Sequence, residues 1–229
     1  MNVLSFLHQE VPFFAGLRED ELAPLAPLLA KRSYKKNTMI FFEGDPGNEL
    51  YIIKSGSVKI YRNSDSREII LKVFRDGDLF GEMAMLEEER LRSASAETME
   101  ACELLIMRKR EFVELLTSRP QLMLRLLSLF MERLRRADDL IEHLSFLDVR
   151  SRVIQLLLDL SEQHGRPSDA GTVIDVRMTH QQLAGMAGTG REAVTKVLSE
   201  LQSKNLLLVD RKAFTLISPE RLRDLVYWS

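Results

Sequence analysis

The sequence predicts an α+β protein in three successive parts: a β barrel or sandwich of short strands, one long amphipathic helix, and a smaller domain in which two short helices precede a hairpin. Three observations predict it. Short apolar stretches alternate with Gly- and Asp-containing turns through the first half of the chain. From Met123 to Leu144 apolar residues recur at alternating steps of four and three. Near the C-terminus two short amphipathic stretches flank Gly188, and strand-like segments follow. A chain of 229 residues is long enough for one large domain or two modest ones, each with its own core.

The first part, residues 1–119, opens with Pro12 to Ala30, read as short helices. Strands follow at Met39–Phe42, Leu50–Ile53, Val58–Tyr61 and Glu68–Phe74, separated by the turns Glu43–Gly47, Lys54–Ser57 and Arg75–Asp78. The second part, 120–147, begins at Pro120, which suits the first turn of a helix. Met123, Leu127, Phe130, Leu134, Ala137, Ile141 and Leu144 form its heptad seam, with a charged opposite face, which predicts a parallel dimerisation helix. An amphipathic helix lying on its own domain is the alternative.

The third part, 148–229, starts at Asp148, a good N-cap for a helix ending near His164-Gly165. A polar loop, Arg166 to Gly171, leads to a strand from Val173 to Met178. Thr179 then caps a short helix, Gly188 sits where a turn needs positive φ, and Thr189 caps a helix to about Lys204. Leu206–Val209, Asp210–Lys212 and Ala213–Ile217 form a β-wing. Helix, turn, helix and wing together read as a winged helix-turn-helix.

Composition does not decide the partner. The net charge is −2, and residues 148–229 hold eleven basic against ten acidic side chains, so a nucleic-acid surface must be local to one face. The single cysteine, Cys102, allows neither an intrachain disulfide nor a multi-cysteine iron–sulfur site, and it reads as a buried, inert thiol. No histidine is placed as an axial haem ligand: His8 lies in the N-terminal arm, His143 late on the long helix, and His164 and His180 in the last part. Charges interrupt every apolar run, and Met1–Phe6 lacks the basic and apolar regions of a signal peptide, so the cytoplasm is the expected compartment and no membrane partner is expected. No nucleophile with a nearby base, metal constellation or Walker-type loop marks an enzyme.

Two segments carry chemistry. In Phe80-Gly81-Glu82-Met83-Ala84, a glycine before a helical turn lets an anion approach backbone N–H groups. Arg92 adds a forked cation and Ser93 a hydroxyl, whereas Glu82 must face a neutral hydroxyl such as a ribose 2′-OH. A solvated surface turn is the plain alternative. In the other segment, Thr179-His180-Gln181 opens a positioning helix, and Thr189-Gly190-Arg191-Glu192 opens the helix that would enter DNA. Leu183, Ala184 and Ala187 pack on Val194, Val197 and Leu198, leaving Arg191, Glu192, Thr195 and Lys196 outward. Arginine reads guanine, glutamate accepts from cytosine, and lysine reaches guanine or phosphate. Thr189-x-x-Glu192 is also a capping box, in which Glu192 merely closes the helix.

Gly81-Glu82-Met83-Ala84 with Arg92-Ser93-Ala94 resembles the phosphate-binding cassette of cyclic-nucleotide-binding domains. The order Gly44-Asp45, Gly56, Asp76-Gly77-Asp78, Phe146-Leu147-Asp148-Val149 and helix-turn-helix resembles the bacterial catabolite-activator (CRP/FNR) superfamily over nearly the whole chain. The resemblance implies a jelly-roll-like β-roll as sensor, a homodimer through 120–147, and a winged helix-turn-helix on double-stranded DNA. It places a ribose 2′-hydroxyl at Glu82 and a cyclic phosphate at Arg92 and Ser93, within a pocket that includes Gly81 and Met83. It maps the purine-reading positions onto Ala137 and Asp138; alanine cannot hydrogen-bond a base, and aspartate can accept from an exocyclic amine. Cyclic AMP is the first choice of effector, with cGMP, a cyclic dinucleotide, another effector or ligand-independent regulation as alternatives. No cofactor is expected, since the nucleotide acts as an effector. By the same resemblance Arg191, Glu192 and Lys196 read a GTGA-type inverted repeat, although lysine replaces the usual second arginine and Gly190 lacks a phosphate-touching hydroxyl. Asp148 is the candidate hinge, RNA polymerase a further partner, and Asp65 and Glu68 surface candidates for touching it. A cyclic-nucleotide receptor module that never binds DNA is the alternative of another class.

Overall fold

The computed structural model describes residues 2–64, 67–86, 91–210 and 213–227; Asp65, the end of the cassette loop at 87–90, and the wing residues Arg211 and Lys212 lie outside them. The chain separates into two compact units, 1–63 with 70–133, and 64–69 with 134–229.

The first unit opens with α1 (Val3–Glu10), a helix the sequence reading did not anticipate. Asn2 caps it, accepting from Ser5 N–H at 2.7 Å, and buried Phe6 and Leu7 anchor it. Two short 3₁₀ turns, Pro12–Phe14 and Ala26–Leu28, flank α2 (Glu19–Leu22). Eight strands follow: β1 (Ala30–Tyr34), β2 (Met39–Phe41), β3 (Glu49–Ser55), β4 (Val58–Ser64), β5 (Arg67–Phe74), β6 (Leu79–Phe80), β7 (Ser95–Thr98) and β8 (Cys102–Arg108). Between β6 and β7 lies the one-turn helix α3 (Met83–Leu86).

The strands form two four-stranded sheets, ordered β1-β8-β3-β6 and β2-β7-β4-β5. Their side chains explain why the sequence shows apolar runs here and not clean alternation. On β3, Leu50 and Ile52 join a core with α1, while Tyr51 and Ile53 face the other way, into the core with Phe41, Phe74 and Phe80. On β8, Leu105 and Met107 go to the first core, and Leu104 and Ile106 to the second. A sheet covered on both faces has no polar side to show. The helical face is completed by α4 (Lys109–Ser118), through Phe112, and by the start of α5 (Pro120–Phe146), through Leu122 and Leu126.

Most of the seam on α5 stays outside. Met123, Leu127, Leu134, Ile141 and Leu144 are exposed, whereas Phe130 is drawn partly against the first unit's core. The helix thus has two apolar faces, one satisfied at its N-terminal end and one open along its length.

The second unit holds α6 (Val149–His164), β9 (Gly165–Ser168), β10 (Gly171–Ile174), α7 (His180–Ala187), α8 (Arg191–Ser203), β11 (Leu207–Asp210), β12 (Ala213–Leu216) and α9 (Pro219–Tyr227). Its sheet is ordered β11-β12-β10-β9. Asp148 caps α6, accepting from Ser151 N–H at 2.7 Å.

Three local readings need correction. The expected polar loop at Arg166–Gly171 contains β9: Pro167 sits opposite Thr172 on the sheet's outer strand, where a missing N–H costs no ladder bond. The strand expected from Val173 to Met178 ends at Ile174, the last residue paired with both β9 and β12. Thr189 does not cap α8, whose N-cap is Gly190 without a side-chain bond. Thr189 N–H is spent on Ala184 O at 3.1 Å, closing α7 behind Gly188, whose φ is +62°. Glu192 therefore takes no part in a capping box.

Candidate anion site and nucleic-acid interface

The cassette is built where β6 turns into α3. Gly81 has φ +85°, and a Cβ there would stand 2.8 Å from an Arg92 terminal nitrogen. Gly47 packs from the facing loop so closely that a Cβ would meet Ala84 Cβ at 2.4 Å and Arg92 Nε at 2.9 Å. These two glycines let the backbone wrap the arginine.

Arg92 is 4 % exposed. One terminal nitrogen donates to Gly81 O at 2.8 Å and the other to Glu49 O at 2.9 Å. The guanidinium plane lies 4.2 Å from the Phe41 ring centroid and 5.6 Å from that of Tyr51. Burial pushes the Arg92 pKa down, against the attraction of Tyr51, Glu49, Glu82 and Asp45. Two of its donor atoms thus organise the pocket, leaving Nε buried with no partner among the described residues.

Glu82 is 1 % exposed. Its Oε1 is paired with Arg133 of α5, which also donates to Leu79 O at 3.1 Å; Glu82 Oε2 and Arg133 Nε have no partner among the described residues. The sequence reading missed Arg133. It lies 51 residues away on a helix read for its seam, and no local spacing joins it to Glu82. Ser93 Oγ is 3.9 Å from Met83 Sδ, and Arg62 of β4 donates twice to Ser93 O, at 2.8 and 2.6 Å. Gly81, Glu82, Met83, Arg92 and Ser93 are thus brought together. Ala137 and Asp138 are exposed on the second unit's part of α5.

Cys102 is buried and its thiol donates to the Ser57 and Glu100 carbonyls at 3.3 and 3.4 Å; burial raises its pKa, which keeps it protonated and unreactive. Among the described residues, no three His, Cys, Asp or Glu side chains gather as a metal site, and no helix is long and apolar enough to cross a membrane.

In the second unit α7 and α8 pack through Leu183, Ala184 and Ala187 against Val194, Val197 and Leu198, all buried. Thr179 Oγ1 accepts from Gln182 N–H at 3.1 Å while Gln182 Oε1 accepts from Thr179 N–H at 2.8 Å, so α7 is closed by a reciprocal cap. The outer face of α8 presents Arg191, Glu192, Thr195 and Lys196, which line an open groove with Gly190 and Ser199. A second cleft, of about 430 Å³, is lined by Met178, Thr179, His180, Gln181, Arg191 and Val209. The half-buried His180 and exposed Gln181 thus share a surface with the first residue of α8.

Residues 31–119 match the cyclic nucleotide-binding domain family, and residues 151–225 match the Crp-like helix-turn-helix domain family. The chain is 36% identical over 197 residues to the cyclic AMP receptor protein of Thermus thermophilus, covering 86% of this chain and 88% of that one. It is 30% identical over 210 residues to a CRP-like cAMP-activated global transcriptional regulator of Mycobacterium tuberculosis, covering 91% and 93%. The c-di-GMP responsive global regulator CLP of Xanthomonas campestris matches its structure with a TM-score of 0.75 at 29% identity, covering 88% of this chain and 100% of that one. The chain belongs to the CRP/FNR superfamily: it is a DNA-binding transcription regulator with a cyclic nucleotide-binding domain.

Proposed function

We propose that the chain works as a homodimer whose affinity for an inverted DNA repeat is set by a cyclic nucleotide in the β-roll, with cyclic AMP the first choice. One observation carries the reading: within the same cassette, buried Arg92 Nε and Glu82 Oε2 lack partners among the described residues. An unpaired buried donor or acceptor costs roughly 1–3 kcal/mol. A cyclic phosphate beside a ribose 2′-hydroxyl supplies the missing acceptor and the missing donor, with Ser93, Gly81 and Met83 around them.

Cyclic AMP is supported by the names of the relatives from Thermus and Mycobacterium. A second reading, cyclic di-GMP, is favoured by Ala137, which cannot hydrogen-bond a base, and by the name of the Xanthomonas regulator. The exposed seam on α5 supports the dimer: Leu134 and Ile141 are each more than 60% exposed, at 63% and 62%, in the single chain. Arg191, Glu192 and Lys196 on the outer face of α8 support reading of a GTGA-type half-site, with Thr179, His180, Gln181, Thr189 and Thr195 around it. Ligand shifts the balance only by binding the DNA-competent state more tightly, and Asp148 is the proposed hinge of that change. The proposed division is 1–119, 120–147 and 148–229, in a cytoplasmic, non-enzymatic protein that meets RNA polymerase at promoters.

Calorimetric titration with cyclic AMP, cyclic GMP and cyclic di-GMP tests the effector. One of the three is expected to bind the native protein and to fail with Arg92→Ala. Binding of none, or equal binding by the variant, overturns the cassette reading.

A further inference from the structure

His180 is the first residue of α7, and its Nδ1 lies 2.9 Å from Thr195 Oγ1 on α8. The hydroxyl of Thr195 has one proton, and it is donated back to Arg191 O at 2.9 Å. Both contacts are hydrogen bonds when the hydroxyl acts as acceptor toward the histidine, which puts the hydrogen on Nδ1. That assignment leaves Nε2 as a bare acceptor in the neutral ring. Taking up a proton at Nε2 disturbs nothing at Nδ1, so the ring can change charge without leaving its place.

The surroundings say when that proton is favoured. Of the described residues lining the cleft around His180, Arg191 is the charged one, contributed by α8; α7 adds the uncharged Gln181, and β11 adds apolar Val209. Glu192 and Lys196, of opposite sign, line the adjoining groove with Thr195. A DNA phosphate offers Nε2–H a charged acceptor, which favours the protonated ring in the complex. Imidazole is also the side chain whose charge changes between about pH 5 and 8.

We propose that His180 is a proton-dependent phosphate contact: Thr195 holds its Nδ1–H, and Nε2 binds a proton as the backbone phosphate arrives. This rests on the reading that α8 enters the groove, and it adds a pH term to DNA affinity. The sign follows from linkage. The complex favours the protonated ring, so affinity rises as pH falls through the imidazole range and the gain is lost as pH rises.

The test is fluorescence anisotropy of full-length protein, with saturating cyclic AMP, on a duplex bearing an inverted GTGA repeat and on an unrelated duplex of equal length. Native protein is expected to bind both more tightly at pH 6 than at pH 8, by about tenfold, with a salt slope steeper by about one at the lower pH. His180→Gln, which can still hydrogen-bond but does not titrate, should lose this difference on both duplexes. Thr195→Val should shift ring nitrogen signals away from the Nδ1–H form, read by ¹⁵N spectroscopy. A pH difference that survives in His180→Gln belongs to another group and overturns the proposal, as does an Nε2–H tautomer in the native protein. Equal affinity for the two duplexes, with the pH term intact, overturns the GTGA reading and leaves the histidine contact standing.

Discussion

The two proposed recognition regions treat their arginines in opposite ways. Arg92 is buried, gripped by two backbone carbonyls and stacked on Phe41, so its charge is dehydrated and aimed before any ligand arrives. Arg191 stands exposed at the first turn of α8, beside Glu192, where water surrounds it. A buried, oriented charge suits a small anion that enters once and is enclosed. A hydrated one suits a long polyanion, met first through its field and then through base edges. The difference teaches that shape should matter as much as charge at the first site, whereas the second should tolerate change gradually.

Replacing Arg92 should give the largest effect. Arg92→Ala should weaken cyclic nucleotide binding by about a hundredfold or more, and Arg92→Lys nearly as much, because one ammonium cannot hold Gly81 O and Glu49 O together. Calorimetry reads both, and a lysine variant of native affinity would break the comparison. Arg191→Ala should cost roughly 1–3 kcal/mol on the preferred half-site and relax specificity at one base position. Competition among half-site variants measures this, and a uniform loss across all sequences would reassign Arg191 to phosphate.

Gly81→Ala tests the shape requirement alone. Its positive φ and the 2.8 Å approach to Arg92 should cost roughly 1–3 kcal/mol in urea unfolding, with ligand affinity falling as the cassette shifts. Asp148→Ala removes the cap of α6, worth about 1 kcal/mol and roughly 2–4 °C in melting temperature. The hydrogen bond from Ser151 N–H holds the Asp148 carboxyl below its ordinary value. Its stabilisation is therefore complete above the ordinary aspartate pKa of about 3.9 and is lost as pH falls through the depressed folded value. Asp148→Asn keeps an acceptor for the cap, so it should preserve most of the stability while removing the acid-dependent part.

Legibility also differed between the regions. The helix-turn-helix was readable because its determinants are local: Thr179 reaches Gln182, Gly188 turns the chain, and apolar spacing pairs α7 with α8. The exception was Thr189 as a cap: Thr189 still closes α7 through its N–H to Ala184 O, and α8 starts one residue later with Gly190 as its N-cap. In the β-roll the cassette residues were visible as Gly81-Glu82 and Arg92-Ser93, but their partners were not. Arg133, Glu49 O and Phe41 come from three other elements, and only the packed sheets bring them to Glu82 and Arg92. β9 was hidden for a related reason: Gly165-Arg-Pro-Ser has little strand propensity, and pairing with β10 alone makes it a strand. The heptad on α5 showed the open seam but not the second face, where Leu122 and Leu126 close the first unit's core.

Control by a nucleotide requires coupling between the buried anion site and the proposed reading face of α8. Anisotropy of a labelled duplex with an inverted GTGA repeat, recorded with and without saturating cyclic AMP or cyclic di-GMP, measures that coupling. One of the two nucleotides should tighten binding by about 5–150-fold, the usual range of such coupling, and Arg92→Ala should bind DNA equally with and without it. Native protein that binds the duplex with the same affinity under every condition would contradict the coupling, and with it the role given to the cassette.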